Sequence, residues 1–478
     1  MYGSFGLFID GSWSGRPVGA STEITDPGNN EVLGVVPAAS VDDTNAAIAA
    51  ADRALRGWKH MAAWTRADLI HRIADTMVSR TAEAANRITL ETGKPLTQAT
   101  REWGLALDQF RWCAEEARRV YGRIVESRVP GGRFEITHEP VGVVAAFTAW
   151  NFPAFLIARK VAPALAAGCT VIVRPSAEVP GVAMIVFDCM REAGIPAGVV
   201  NLVTGPTADT YRPIMASATV RKVSLTGSTQ VGQQMIRDSA ETVKRVSMEL
   251  GGNAPMLVFE DADLEKTLDL AVPTKYANSG QVCVTPDRFY VHESLHDKFV
   301  DGFARRASAL KLGHGLKPES QMGPLINRRR LTAIEGIVED ARSKGGRIVA
   351  GGKRPAELNT GFFFEPTVIA DLPDDALALA EENFGPIAAI TPFRDREEAY
   401  IRANASEMGL SAYVFTRDAD RAREAVSVLS AGMVGVNSFA LAAAEAPFGG
   451  IKASGMGREG GLEGILDYSN VKLAQVVT

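Results

Sequence analysis

The sequence is poor in cysteine, and its four cysteines, at positions 113, 169, 189 and 283, lie far apart. No two of them have the CxxC spacing of zinc clusters and thiol redox sites. This scarcity argues against a disulfide framework, and we predict no metal site. Burial as a small apolar residue is the simplest role for Cys113, Cys169 and Cys189.

Concentrated positive charge and long apolar runs are also missing. The 478 residues carry 51 Lys and Arg against 56 Asp and Glu, and no dense basic run is present, so a role in nucleic-acid binding is not supported. No apolar run is long enough to span a bilayer. The start, MYGSFGLFIDGSW, lacks both the basic and the apolar part of a secretory signal. These absences predict a cytoplasmic protein that binds neither nucleic acid nor membrane.

The order of apolar runs predicts two doubly wound α/β domains, because a chain of this length exceeds one core. Residues 44–119 have mostly helical patterns. Residues 141–252 alternate short Val- and Ile-rich runs with helical segments, which is typical of a parallel sheet buried on both faces. We therefore predict one α/β domain from residues 1–119 and 141–252 and a second from residues 253–452. Ligands of such sheets bind beyond the carboxyl ends of the strands.

Two further segments have strand patterns outside these domains. Residues 120–140, VYGRIVESRVPGGRFEITHEP, alternate in polarity around a Pro-Gly-Gly turn and predict a protruding hairpin. Residues 465–478 contain a second strand pattern. Proteins seldom leave strand edges open, so we expect both segments to pair across a subunit interface.

Polar residues follow four predicted strands of the first domain, namely Asn151, Arg174, the GSTQVG turn and Glu249. In that turn, Gly227 and Gly232 flank a Ser-Thr pair that can cap a helix and let a phosphate approach its N-terminus. The same spacing is equally typical of an ordinary strand-to-helix turn. It also lacks the Lys-Ser/Thr of a triphosphate-binding loop.

Cys283 lies in ANSGQVCVTPDR, among small and amide residues rather than apolar ones. Taken alone, this setting suits a packed thiol and a reactive thiol equally well.

Six motifs, in order, resemble those of the aldehyde dehydrogenase superfamily: FTAWNFP, SLTGSTQVG, MELGGNAP, NSGQVCV, EENFGP and PFGGIKASGMGREG. The similarity runs from FIDGSW to SNVK and is greatest to the succinate-semialdehyde dehydrogenase group. It implies NAD(P)-dependent oxidation of an aldehyde to the acid on the aldehyde dehydrogenase-like α/β fold. Residues 1–119 and 141–252 would bind the dinucleotide, residues 253–452 would form the catalytic domain, and residues 120–140 and 465–478 would join subunits into a homodimer or homotetramer.

The resemblance implies catalytic roles for three residues. Cys283 would attack the aldehyde as a thiolate, giving a thiohemiacetal that expels hydride and leaves a thioester. Glu249 would be the general base, although alone it would suggest only a solvated carboxylate. The Asn151 amide, with the Cys283 N–H, would stabilise the oxyanion, a contribution of about 2.7–4 kcal/mol for such donors. Without the resemblance, Asn151 before Phe-Pro would indicate a turn.

The resemblance also implies a site for NAD or NADP, with Glu382 and Phe384 at the nicotinamide end. Where the family commonly has Lys-Pro-small-Glu, this chain has Arg174-Pro175-Ser176-Ala177. Because no carboxylate stands at Ala177, a cofactor with a 2′-phosphate would not be repelled, and Arg174 can hold a phosphate bidentately. Both features slightly favour NADP. The alternative, that Arg174 merely replaces the lysine that binds the ribose, stays open. The complete predicted set is Thr148, Trp150, Arg174, Ser176, Gly227, Ser228, Val231, Gly251, Glu382 and Phe384.

For the substrate, Arg159 matches the arginine that holds the distal carboxylate in succinate-semialdehyde dehydrogenases. A second arginine of that group would fall at Ala277 and a serine near Ala443, and both are missing. A semialdehyde and an aromatic or aliphatic aldehyde therefore both stay open as substrates. The predicted substrate residues are Phe155, Arg159, Val282, Phe439 and Phe448.

Two other functions are compatible with this fold. A CoA-acylating dehydrogenase would pass the acyl group to CoA rather than to water, but such members generally lack the base that Glu249 matches. A non-catalytic binding protein would have no use for Cys283, Glu249 and Asn151 together.

Overall fold

A computed structural model describes residue 2 and residues 5–14 and 20–478. The prediction about a secretory signal falls partly on residues outside this range. The described strands, in chain order, are β1 (Phe8–Ile9), β2 (Ser12–Trp13), β3 (Ser21–Thr25), β4 (Val32–Pro37), β5 (Arg123–Glu126), β6 (Gly132–Pro140), β7 (Val143–Phe147), β8 (Thr170–Arg174), β9 (Val200–Leu202), β10 (Val220–Thr226), β11 (Arg245–Glu249), β12 (Ala254–Val258), β13 (Pro286–His292), β14 (Arg347–Ala350), β15 (Thr367–Ala370), β16 (Ile387–Phe393), β17 (Ser411–Phe415), β18 (Met433–Val436), β19 (Gly455–Met456) and β20 (Ser469–Val477).

The described helices pack around these strands. In chain order they are α1 (Val41–Trp58), α2 (Ala63–Ser79), α3 (Thr81–Thr92), α4 (Leu96–Glu116), α5 (Pro153–Ala167), α6 (Pro180–Glu192), α7 (Thr207–Ala216), α8 (Thr229–Ala240), α9 (Leu264–Tyr276), α10 (Glu293–Ser308), α11 (Arg328–Ser343), α12 (Leu377–Ala380), α13 (Arg396–Asn404), α14 (Ala419–Val428) and α15 (Gly461–Leu466). None of them is long and apolar enough to cross a bilayer.

The first large sheet has the strand order β19-β11-β10-β7-β8-β9-β1-β2, and its central strands from β11 to β9 are parallel. Alternate residues of β7 enter different cores. Val144 and Ala146 pack with α5 and α6, whereas Val143 and Ala145 pack with α1. Because successive side chains of a strand point to opposite faces, a sheet covered on both sides needs apolar residues throughout, as the Val-rich runs predict. Helices therefore cover both faces of this sheet.

The second large sheet has the order β14-β15-β16-β13-β12-β17-β18, parallel except for β14. The sequence analysis did not predict antiparallel strands at the edges of the two large sheets. In the first large sheet, the antiparallel strand β19 runs beside β11 and pairs Gly455 with Glu249, so a segment late in the chain lies next to a predicted catalytic residue.

A third, antiparallel sheet has the order β20-β6-β5, and β5 and β6 form the predicted hairpin. The sequence analysis expected the hairpin and the C-terminal strand to pair across a subunit interface, whereas in the structure the two pair with each other. Within one chain, β20 pairs with β6 along its whole length, from Ser469 opposite Pro140 to Val477 opposite Gly132. The strand hydrogen bonds of β6 are therefore satisfied internally, and the open edges of this sheet belong to β5 and β20.

Candidate active site

A cleft of about 730 Å³ lies where the strand ends of the two large sheets face each other. From the first sheet it is lined by residues that follow β7 and β10 and by Glu249 at the end of β11. From the second it is lined by the loop before β13, which carries Cys283, and by residues before β16 and after β18. All three predicted catalytic residues, Cys283, Glu249 and Asn151, line this one cleft.

The loop that carries Cys283 has an unusual backbone. Asn278, Ser279 and Gly280 have φ values of 48°, 57° and 73°, three consecutive left-handed residues. A side chain on Gly280 would collide with the carbonyl oxygen of Gly385, so the two loops approach as closely as backbone allows. Strained backbone of this kind persists only where the surrounding structure holds it, and it is concentrated at functional sites.

The Cys283 thiol is half-buried and packs against Leu410, Met433 and Phe448. Burial raises the pKa of Cys283 to about 12, and the carboxylates of Glu382 and Glu249 add to the rise. The thiol is therefore protonated at neutral pH and needs a base or a bound ligand to ionise it.

Glu249 ends β11 with only 4% of its surface exposed, and no group in the described chain donates a hydrogen bond to either carboxylate oxygen. Burial raises the pKa of Glu249 well above its ordinary value, and the negative charge of Glu459 raises it further. The cations Lys160, Arg159 and Arg458 oppose this rise. A free carboxyl with a raised pKa suits a general base that works near neutral pH.

Asn151 is buried and faces the cysteine loop. Its Nδ2 donates to the carbonyl oxygen of Gln281 at 3.1 Å. An amide nitrogen has two hydrogens, so one remains for a substrate oxygen. The backbone oxygen of Asn151 accepts from Lys94 Nζ at 2.6 Å, and Lys94 forms a buried ion pair with Glu102, also at 2.6 Å.

Two buried ion pairs at this site were missed by the sequence analysis. Lys94–Glu102 lies beneath Asn151, and Lys160–Glu459 lies beside Glu249 and also contacts Ser224. A signal for the second pair was present, because Lys160, next to Arg159, interrupts the apolar run of α5, and a buried lysine requires a partner.

We call the part of the cleft lining that suits a dinucleotide the cofactor arm, and the part around Arg159 the substrate arm. Gly227, Ser228 and Gly251 line the cofactor arm, and the buried hydroxyl of Thr226 has no hydrogen-bond partner in the described chain. Ser228 caps α8 by accepting from the Val231 N–H at 3.4 Å. Glycine backbone, an unpaired hydroxyl and a helix N-terminus together fit the pyrophosphate and ribose groups of such a cofactor.

Glu382, Phe384 and Trp150 also line the cleft. Glu382 accepts from the Gly252 N–H at 2.9 Å, and burial raises its pKa to about 8. A Cβ on Gly251 would lie 2.6 Å from the Glu382 carboxylate, so a larger residue there would displace that side chain. Phe384 has φ 44°, an outlier for a bulky residue, and its ring meets Trp150 edge-on at 5.5 Å.

Four of the predicted cofactor residues do not line this cleft. Arg174 donates to Thr210 Oγ1 at 2.9 Å and to the Gly205 oxygen at 3.1 Å, so its guanidinium is turned toward the start of α7. The Ser176 hydroxyl donates to Glu178. The remaining two are Thr148, whose buried hydroxyl has no partner in the described chain, and Val231 on the exposed first turn of α8.

The other arm of the cleft contains all the predicted substrate residues, Phe155, Arg159, Val282, Phe439 and Phe448. The Arg159 guanidinium lies between the rings of Phe155 and Phe448, 4.6 Å from each centroid, and only 1% of the residue is exposed. It donates to the backbone oxygens of Glu459 and Ala443, both at 3.2 Å. The backbone oxygen of Ala443, near the position where the succinate-semialdehyde dehydrogenase group has a serine, thus accepts a hydrogen bond from Arg159.

The aldehyde dehydrogenase family model matches residues 15–474. The chain belongs to the aldehyde dehydrogenase family. A glutarate-semialdehyde dehydrogenase of Pseudomonas putida is 41% identical over 465 residues, which cover 97% of this chain and 96% of that protein. A succinate-semialdehyde dehydrogenase (NADP(+)) of Escherichia coli is 41% identical over 464 residues, covering 97% and 96%.

The solved structures agree with these relatives. The crystal structure of succinate-semialdehyde dehydrogenase from Burkholderia pseudomallei matches with a TM-score of 0.97 and 41% identity, covering 99% of this chain and 98% of that one. The predicted family and fold class are therefore confirmed. This aldehyde dehydrogenase is an NAD(P)-dependent enzyme that oxidises an aldehyde to the carboxylic acid through a cysteine thiohemiacetal and thioester.

Proposed function

We propose that this aldehyde dehydrogenase acts on semialdehydes, with Cys283 as nucleophile, Glu249 as general base and Asn151 as oxyanion donor. One observation carries the catalytic part of this proposal. The only partnerless carboxylate among the charged side chains that line the described cleft belongs to Glu249, and the same cleft contains the Cys283 thiol.

In the first half of the reaction, Cys283 Sγ forms a bond to the aldehyde carbon, and its proton passes to Glu249. The negative charge on the aldehyde oxygen is stabilised by Asn151 Nδ2 and the Cys283 N–H. NAD or NADP, when bound, accepts the hydride, leaving a thioester on Cys283. Gly227, Ser228 and Gly251 line the cleft and would hold the cofactor through backbone groups, and Glu382 would accept from its nicotinamide ribose.

In the second half, Glu249, after releasing the thiol proton to solvent, takes a proton from water while the water oxygen bonds to the acyl carbon. The carbon–sulfur bond breaks, the Cys283 thiolate leaves, and the acid is released. The raised pKa of Glu249 supports this role because it makes the carboxylate a stronger proton acceptor than an ordinary glutamate.

The choice of a semialdehyde rests on the charge of the substrate arm. Arg159 is buried beside Phe155 and Phe448, and its positive charge favours a substrate with an anionic far end. The names of the relatives, glutarate- and succinate-semialdehyde dehydrogenase, support the same class. An aromatic or aliphatic aldehyde would gain only from the apolar rings.

Replacement of the nucleophile tests the catalytic assignment. Cys283→Ser is expected to lose the burst of reduced cofactor and at least about a thousandfold in turnover, since a hydroxyl has a much higher pKa than a thiol, while cofactor binding remains. Stopped-flow absorbance measures the burst, and fluorescence quenching measures cofactor affinity. Cys189→Ala, in the core of the first domain, is the control and should turn over normally. A normal burst in Cys283→Ser would refute the assignment.

We also propose that the enzyme is a homodimer or homotetramer that uses the β20-β6-β5 sheet. Two apolar side chains of this sheet, Ile124 and Leu473, are 71% and 62% exposed in the single chain, which favours burial against another subunit. Light scattering tests this: a mass near 51.0 kDa, that of one chain, would contradict it. Location in the cytoplasm stays a prediction that cell fractionation would test.

A further inference from the structure

One face of α4 forms a wall of the substrate arm. Its lining residues, Gln98, Arg101, Glu102 and Leu105, recur at the i, i+3, i+4 and i+7 positions of a single helical stripe. Gln98 Oε1 accepts from the Asn278 N–H at 2.8 Å, and Glu102 Oε1 accepts from the Ala154 N–H at 2.9 Å. The stripe is thereby tied to the cysteine loop and to the start of α5, and Arg101 projects from it between these two attachments.

Arg101 differs from the other cations of the cleft because its charge is free. Lys94 is paired with Glu102, Arg159 donates to two backbone oxygens, and Arg330 donates to the Asn383 oxygen. Within residues 2, 5–14 and 20–478, Arg101 forms no hydrogen bond, ion pair or ring contact, and it is exposed.

The acidic residues of the cleft do not neutralise it either. Asp269, which also lines the arm, is paired with Arg306 at 3.1 Å, and Glu459 is paired with Lys160. An unpaired guanidinium at the solvent end of a cleft presents five donors to an incoming anion.

The two arginines of the arm lie at different depths. Arg159 is 1% exposed, and its charge acts on Glu249 and Cys283. Arg101 is solvent-exposed, and therefore lies at the mouth. Apolar side chains that line the same arm include Leu105, Phe155, Leu156, Leu270 and Phe448.

We propose that Arg101 binds the distal anion of the substrate at the mouth of the arm and supplies the outer cation that the missing arginine at position 277 would have provided. The substrate class is then an aldehyde whose carboxylate is separated from the carbonyl by an extended apolar spacer. This inference rests on the proposed semialdehyde function. It names Arg101 as a specificity residue that touches substrate and takes no part in the chemistry.

The test compares ω-oxo carboxylic acids of increasing chain length with uncharged n-alkanals of matching length. In Arg101→Gln, kcat/KM for the longer ω-oxo acids is expected to fall roughly five- to tenfold, mainly through KM, whereas the alkanals change less than about twofold. Arg101→Lys keeps the charge but not the two-pronged geometry and should lie between. In the parent, kcat/KM for the ω-oxo acids should fall as the salt concentration rises. In Arg101→Gln this dependence on salt should be weaker.

Arg111→Gln is the matched control, because Arg111 is exposed on the same helix and does not line the cleft. The proposal for Arg101 would be overturned if Arg101→Gln lowered kcat/KM equally for ω-oxo acids and alkanals, or did not lower it at all. If the parent still prefers ω-oxo acids in that case, the semialdehyde function itself stands. A parent that prefers alkanals at every length would overturn the semialdehyde class as well.

Discussion

The side-chain amide of Asn278 donates to the backbone oxygen of Asn151 at 3.1 Å and to that of Gln281 at 3.2 Å. The first bond joins the cysteine loop of one large sheet to the strand end that carries the proposed oxyanion donor on the other, and the second lies within the loop. The left-handed backbone of Asn278, φ 48°, is one that asparagine tolerates better than most residues. Asn278 is therefore a positioning residue.

Asn278→Gly should separate these effects. Glycine keeps the left-handed backbone but removes both bonds, so kcat is expected to fall about tenfold with KM nearly unchanged and with little loss of thermal stability. Asn278→Ala adds backbone strain of about 1–3 kcal/mol and should also lower the melting temperature. Steady-state kinetics and calorimetry measure these changes. A parent-like kcat in Asn278→Gly would show that the contact does not orient Asn151.

Glu249→Gln should slow both the burst of reduced cofactor and the steady state, the steady state roughly a hundredfold or more, because the Cys283 thiol and the hydrolytic water both lose their base. The pKa of Glu249 is raised, so the carboxylate forms only as pH rises, and the parent kcat should climb through the range where this happens. The variant should lose that climb. Glu445→Gln, an exposed carboxyl, is the control. If Glu249→Gln keeps both the rate and the pH profile of the parent, Glu249 is not the base.

Glu459→Gln should shift the acid limb of the kcat–pH profile, the rise that we attribute to ionisation of Glu249. After burial, the negative charge of Glu459 is the largest cause that raises the Glu249 pKa, and its removal also frees the opposing charge of Lys160. The Glu249 pKa therefore falls, and the acid limb of kcat is expected to move to lower pH. Loss of one partner of a buried pair should also cost about 3–5 kcal/mol of stability. The pH profile is measured with saturating substrate. If the acid limb of kcat does not move in Glu459→Gln, the charge of Glu459 does not control the pKa of Glu249.

Cofactor preference should respond to a carboxylate at position 177. Ala177 is exposed beside the Arg174 strand end, and we expect the parent to use NADP at least as well as NAD. Ala177→Glu should shift the ratio of kcat/KM values toward NAD by about three- to tenfold, because like charges repel a 2′-phosphate even across solvent. Ala177→Gln has the same size without the charge and should leave the ratio unchanged. Equal shifts in both variants would point to shape rather than charge.

Several features followed from the sequence because they depend on short-range patterns. Apolar runs of β7 and β8 predicted strands buried on both faces, and the carboxyl ends of parallel strands meet at one edge. For that reason Asn151 and Glu249, far apart in the chain, were expected near the same site. The role of Cys283 did not follow from its own surroundings; it came from the order of six motifs along the chain.

Other features were decided only when the chain was packed. The sequence could not show that β20 pairs with β6 of its own chain, that Arg174 turns toward Thr210, or that Arg101 reaches the cleft unpaired. The same holds for the ion pair of Lys160 and Glu459, residues separated by 299 positions. Charged groups in a folded protein take the partners that packing brings within hydrogen-bond distance, and no local pattern specifies those partners. Strand spacing and motif order determined where the chemistry lies, whereas long-range packing determined which charges are paired and which are free to meet a substrate.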